Sequence, residues 1–184
     1  MSALRSCCFT GYRPEKFPFP LKPGHPLYNA FENKLTDAIF TLASDGFVRF
    51  YSGVAQGFDL LAAELVLLGR SSHRLPIQLY CAVPFRGQAD SWAPAWKKRY
   101  DAVLNQADHV EFLSDGYFQG CYQRRNRFMV DNSQTVLTYF DGKPGGTANT
   151  LAYARRTGTP IINLADFDMD ACLEDIPVQF EIVL

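Results

Sequence analysis

The segment Ser52-Gly53-Val54-Ala55-Gln56-Gly57-Phe58-Asp59 joins two apolar runs of different period. Phe47 to Tyr51 reads as a buried strand, and Phe58, Leu61, Ala62, Leu65 and Leu68 mark a helix. Two glycines between strand and helix allow a sharp turn and a close approach of the backbone to another group. The helix then aims its free N–H groups and positive dipole end at the same space, which is how proteins hold phosphates and other anions. A single turn of this kind is as readily structural as functional, so its repetition carries the weight. Thr10-Gly11-Tyr12-Arg13 follows the first predicted strand, and Pro84-Phe85-Arg86-Gly87-Gln88 the third. Tyr122 to Arg127 comes after the fourth, and Asp141 to Thr147 after the fifth.

Arginines supply forked donors for phosphate or carboxylate. Glycines and helix starts supply backbone N–H groups, and the hydroxyls of Thr10, Ser52 and Thr147 suit phosphate or ribose. The expected ligand-binding residues are Thr10, Gly11, Arg13, Ser52, Gly53, Gln56, Gly57, Asp59, Arg86, Arg127, Gly145, Gly146 and Thr147. In this reading Arg13 and Arg86 pair phosphate charge. Asp59 holds the turn or accepts from a ribose hydroxyl. Each residue also has a plainer reading. Ser52 serves as a helix N-cap, Asp59 as a dipole-favoured acid, and Arg124, Arg125 and Arg127 as one solvated basic face. The stripe Trp92, Trp96, Tyr100 reads as core. No catalytic residue is assigned.

The elements that must position these residues follow from periodicity. Strands are expected at Arg5–Phe9, Val48–Tyr51, Ile77–Ala82, His109–Leu113, Thr135–Tyr139 and Ile161–Leu164. Helices lie between them: one through Phe31, Leu35, Ala38, Ile39 and Leu42, one after the Ser52–Asp59 turn, one through Trp92, Trp96, Tyr100, Val103 and Leu104, then Arg124–Asp131 and Thr150–Thr157. Gly158 and Pro160 end the last helix. Strict β-α alternation with apolar strands implies an α/β, Rossmann-like three-layer sandwich: a mainly parallel sheet with helices on both faces. In such a sheet ligands bind beyond the carboxyl ends of the strands. Pro14–Pro26 holds five prolines and reads as a loop, a candidate flap over the site. Pro177–Leu184 could add a strand.

Composition narrows the class. At 184 residues, 47% apolar and 20% charged, the chain fits one soluble domain, residues 1–184. It has no membrane-length apolar run and no signal-peptide core, so a cytoplasmic location is expected. A net charge of −1 argues against nucleic acid as the main ligand. Cysteines 7, 8, 81, 121 and 172 form no C-x-x-C pair, so buried free thiols are expected and a metal site is not. Asp166, Asp168 and Asp170 lack the glycine and glutamate of a calcium loop and read as solvated surface. Walker, dinucleotide and nucleophile-elbow fingerprints are absent. A homo-oligomer or a protein partner stays open.

The segments FTGYRP, SGVAQGFDLLAAE, PFRGQ, RNRFMVDNS and GGT resemble the YpsA-like family of the SLOG superfamily of Rossmann-like domains, the group that includes DprA and the LOG enzymes. SGVAQGFD resembles the corresponding DprA turn, and RNRFMVDNSQTVLTYF the helix-strand unit that follows there. The resemblance implies a nucleotide-related ligand at the sheet edge, with no certain cofactor. The expected function is binding of a small nucleotide-type anion, in sensing or regulation. Two alternatives follow from the relatives. One is LOG-like release of a base from a nucleoside monophosphate, with Asp59, Glu64 or Asp131 as the available acids. The other is DprA-like binding of single strands through Arg124, Arg125 and Arg127. The LOG motif carries a glutamate after PGG-x-GT, and Gly145-Gly146-Thr147-Ala148-Asn149-Thr150 has no acid.

Overall fold

The computed structural model describes residues 4–165. The chain runs β1 (Arg5–Thr10), a 3-10 turn (Pro14–Lys16), α1 (Pro26–Ser44), β2 (Phe47–Ser52), α2 (Phe58–Ser72) and β3 (Gln78–Val83). It continues through α3 (Pro94–Gln106), β4 (His109–Phe112), α4 (Cys121–Asp131), β5 (Thr135–Thr138), α5 (Gly146–Thr157) and β6 (Ile161–Asn163). Every strand pair is parallel, and the spatial order is β4-β3-β2-β1-β5-β6. The first four strands step outward in one direction. The chain then returns past β1 to place β5 on its other side. The order therefore reverses between β1 and β5, where Thr10 lies beside Thr138 in register. A reversal of this kind opens a crevice at the carboxyl ends of the two strands.

Alternate strand residues feed two cores, as the period of two requires. Cys7, Phe9, Phe50, Leu79 and Leu137 point toward α1, α2 and α3, while Cys8, Tyr51, Ala82 and Val136 point toward α4 and α5. The first core is the larger and is rich in aromatic rings. Phe31 sits within 5.3–6.1 Å of Phe17, Phe19, Phe58 and Tyr139. Cys7, Cys8, Cys81 and Cys121 are buried free thiols, and burial pushes Cys8 and Cys81 up to about 12. Gly158 closes α5 with a φ of 72°, the left-handed stop expected there.

Two sequence expectations change. The segment from Pro14 to Pro26 is no free flap: Phe17 and Phe19 are buried in the main core, and Pro26 begins α1. Of the tryptophan stripe, Tyr100 is buried, while Trp92 and Trp96 are partly exposed at the rim of the core, and Trp92 precedes α3, which Pro94 begins. The acidic run at Asp166–Asp170, Cys172 and the candidate strand Pro177–Leu184 lie outside the described residues. Among those described, no helix is long and apolar enough to cross a membrane.

Candidate ligand-binding site

A polar pocket of about 290 Å³ opens at the carboxyl ends of β1 and β5. Thr10, Gly11, Arg13 and Lys16 line it from the β1 side, Ala55 and Asp59 from the β2–α2 turn, Tyr122, Gln123, Arg125 and Asn126 from α4, and Gly146 and Thr147 from α5. A larger cavity of about 510 Å³ lies among α1, α2 and α3, next to the Pro14–Pro26 segment and the β2–α2 turn. Its walls are mainly apolar, and its charged groups are engaged: Arg99 forks onto Glu64 with bonds of 2.7 and 2.6 Å, and Glu32 accepts from the Tyr28 hydroxyl at 2.8 Å.

The β2–α2 turn is held from both sides. Val54 has a φ of 45°, a left-handed conformation that a β-branched residue adopts only under constraint. The Ser52 hydroxyl accepts from the Val54 N–H at 3.1 Å and donates to the Asp59 carbonyl at 2.8 Å. The Gln88 side-chain amide donates to the Val54 carbonyl at 3.3 Å. From across the pocket, the Arg125 guanidinium donates to the Gly53 carbonyl. Gly57 caps α2 with a φ of 95°, and a Cβ there would run into the Tyr12 carbonyl. That contact lets the Phe58 N–H donate to the same carbonyl at 3.0 Å. Strain of this kind persists only where the surroundings over-determine it, and it concentrates at ligand sites.

The floor of the pocket carries a buried carboxylate and a buried guanidinium. Asp59 and Arg125 are 6% and 5% exposed. Burial pushes Asp59 up to about 6, against the opposing pull of Arg125, Arg13 and the backbone N–H groups of Ala55 and Gly11. Burial also lowers Arg125, although Asp59 favours its charge. Above the floor, Arg13 lies 5.9 Å from the centre of the Tyr122 ring, and Lys16 closes one side by donating to the Pro144 carbonyl at 2.8 Å.

The start of α5 forms the far wall. Gly145 precedes it with a φ of 142° and a ψ of −158°, a conformation essentially confined to glycine. The N–H groups of Gly146, Thr147 and Ala148 belong to the first turn of the helix, where no carbonyl of that helix can accept them. The Thr147 hydroxyl donates to the Gly11 carbonyl at 2.9 Å, and the Asn126 amide donates to the Thr150 hydroxyl at 2.7 Å. Tyr12 ties the loop before α5 to β1: its hydroxyl donates to Asp141 at 2.6 Å and accepts from the Lys143 N–H at 2.9 Å.

Of the residues expected from the sequence, Thr10, Gly11, Arg13, Asp59, Gly146 and Thr147 line this one pocket. Ser52 and Gly53 support it from behind, and Gly145 sets the start of α5. Gln56 is half-buried and is not part of the lining, and Gly57 faces the apolar cavity. Arg86 does not reach the pocket. Its guanidinium lies 4.3 Å from the centre of the Phe112 ring and pairs with Asp115, because β3 stands two strands from the reversal point. Arg127 lies outside it too, against Tyr153. Arg125 corrects the picture of a single solvated basic face. It shares a buried helix face with Cys121 and Met129, four residues to either side, and that spacing is the signal that separates it from Arg124 and Arg127. Lys16, Tyr122, Gln123 and Asn126 also join the site without having been singled out individually.

The architecture defines a doubly wound α/β domain with a cationic crevice at its topological reversal. The model of the YspA SLOG family matches residues 7–160, and the chain belongs to that family. It is 31% identical over 121 residues to the uncharacterized SPbeta prophage-derived protein YoqJ of Bacillus subtilis, covering 59% of this chain and 70% of YoqJ. It is 26% identical over 158 residues to a UPF0398 protein of Bacillus cereus, covering 84% and 85% of the two chains. Among solved structures, DNA processing protein A (DprA) from Streptococcus pneumoniae superposes with a TM-score of 0.60 at 17% identity, over 93% of this chain and 55% of that one. DprA from Helicobacter pylori, described for its single-stranded DNA binding mode, superposes with a TM-score of 0.58 at 17% identity, over 87% and 65%. The chain thus spans less than two thirds of either DprA, and both share its fold.

Proposed function

We propose that the β1/β5 pocket binds a small nucleotide-type ligand through its phosphate, and that the protein works as a sensor or regulatory module. The observation that supports this reading best is the convergence of Arg13, Lys16 and Arg125 with the free N–H groups of the first α5 turn on one cavity of about 290 Å³. Helix starts and guanidinium groups are the two most general phosphate hosts. Tyr122 adds an aromatic wall against which a base can stack, and Asn126 and Gln123 add amide donors and acceptors.

The test is thermal unfolding across a panel of nucleoside mono-, di- and triphosphates. A ligand at a hundredfold excess over its Kd adds about 2.7 kcal/mol, a rise of roughly 5–10 °C for a chain of this size. A panel without any shift removes the reading.

A second reading has its own support, since the Helicobacter pylori DprA is described as binding single-stranded DNA. Against it stands the net charge of −1. Salt titration separates the two, because strand binding falls with log salt at a slope of about −0.7 per phosphate contacted.

A further inference from the structure

Two arginines on the far side of Asn126 have no role in the pocket just described. Arg127 of α4 and Arg156 of α5 each hold their guanidinium 5.5 Å from the centre of the same ring, that of Tyr153. Neither pairs with a carboxylate among the described residues. The nearby Asp131 instead accepts the Tyr153 hydroxyl proton at 2.8 Å. Both arginines are exposed to solvent, and beyond that ring neither guanidinium has a polar partner among the described residues. A bound anion can pair with both, and the side-chain amide of Asn149 adds a donor to the same cleft. The cleft is continuous with the phosphate pocket, since Gln123 and Asn126 line both.

We propose that the α4–α5 cleft is a second anion subsite, and that the ligand is a short nucleotide chain carrying a second phosphate about two nucleotides away from the first. This rests on the phosphate-pocket reading above and deepens it. The spacing argues for that class. Tyr153 stands seven residues along α5 from Gly146, about 10 Å at 1.5 Å per residue. Two phosphates joined directly as a diphosphate cannot span that separation, and neither can two phosphates on the 3′ and 5′ oxygens of a single sugar. A linear dinucleotide phosphorylated on both its terminal 5′ and 3′ oxygens carries its end phosphates two sugars apart and can span it. A ligand that uses both subsites lies along the α4–α5 seam, with Asn126 between its two charges.

The experiment compares AMP, ADP, adenosine 3′,5′-bisphosphate, the dinucleotide pApAp and a twenty-nucleotide oligothymidylate by calorimetry, at one fixed salt concentration. The dinucleotide pApAp should bind at least about tenfold more tightly than AMP, the worth of one charge-assisted phosphate contact, while ADP and the bisphosphate, too short to reach the cleft, gain less. Arg156→Glu should abolish that gain and still bind AMP, since Arg156 stands outside the first pocket. Equal affinity of AMP and pApAp in the wild type overturns the subsite while leaving the phosphate pocket intact. Oligothymidylate binding far above pApAp also overturns it, by making the seam part of a strand track. Binding of none of the five overturns both the subsite and the reading beneath it.

Discussion

The guanidinium of Arg125, from α4, donates to the carbonyl of Gly53, at the turn between β2 and α2. One bond thus joins the helices of one sheet face to a turn that starts a helix of the other. Gly53 is also flanked by Asp59: an added Cβ would overlap the Arg125 guanidinium and stand 2.8 Å from the Asp59 Oδ2. Gly53→Ala should therefore cost on the order of 1–3 kcal/mol, as overpacking of a filled interior does. It should also weaken anion binding, because Arg125 must move. Arg125→Ala in the same background should recover part of the lost stability. A double-mutant cycle by chemical denaturation gives the coupling, and additive effects would separate Gly53 from Arg125.

Asp59 gives the fold a distinct pH signature. Burial raises its pKa from 3.8 to about 6, so the native state holds the proton more firmly than the unfolded chain. The stabilisation is complete below about pH 4 and is lost as pH rises through about 6. At about 1.36 kcal/mol per pH unit it amounts to on the order of 3 kcal/mol. Asp59→Asn, uncharged throughout, should show a flatter stability profile between pH 4 and 7. Sulfate, whose charge is constant over that range, should bind the wild type more tightly at pH 5 than at pH 7. The variant should bind it equally at both. Parallel pH profiles for the two proteins would contradict this account.

Much of this was readable from the sequence, for physical reasons that also set the limit. The six strands and five helices follow from apolar periodicity, and the end of α5 from Gly158, whereas α4 and α5 begin three and four residues before the expected starts, at Cys121 and Gly146. The parallel class followed from the strict alternation. Strand order did not, because nothing local records which strands become neighbours. With the order unknown, the turn after β3 looked as well placed as the turn after β1, and Arg86 seemed equivalent to Arg13. The reversal between β1 and β5 separates them. Arg125 was hidden differently. It sits in a run of like charges, and only its i±4 relation to Cys121 and Met129 marks it as buried. Lys16 was hidden by its proline-rich surroundings, which look mobile until Phe17 and Phe19 are seen in the core.

Gly145 and Gly146 should respond differently to substitution. Gly146 lines the pocket, and a Cβ there meets no described atom within 4 Å. Gly146→Val should therefore melt cooperatively, within about 1 kcal/mol of the wild type, and lose phosphate affinity because the branched side chain fills the approach. Gly145 has a φ of 142°, and its Cβ would stand 2.5 Å from the Lys16 Nζ. Gly145→Ala should destabilise by about 1–3 kcal/mol. Thermal melts with and without nucleotide measure both effects. Full affinity in a folded Gly146→Val protein would show that the helix start is not where the anion sits.

The protein should release no base from nucleoside monophosphates. Departure of a base builds positive charge on the ribose and calls for a carboxylate that stabilises it or activates water. Of the three acids near the motifs, Glu64 is forked by Arg99 beside the apolar cavity, and Asp131 accepts from Tyr153 outside the pocket. Only Asp59 lines the pocket, and its carboxylate is committed to the Gly11 and Ala55 N–H groups and to the fields of Arg125 and Arg13. The α5 start, Gly146-Thr147-Ala148-Asn149, presents no acid, and the Asn149 amide is no base at neutral pH. Chromatography of purified protein incubated with each of the common nucleoside monophosphates decides the point. Free base appearing at about one turnover per second, within the ordinary enzyme range, and disappearing in Asp59→Asn would make Asp59 a catalytic acid or base and overturn the proposed sensing role in favour of a hydrolase. An intact monophosphate pool, in protein whose melting temperature that same nucleotide raises, is the expected result.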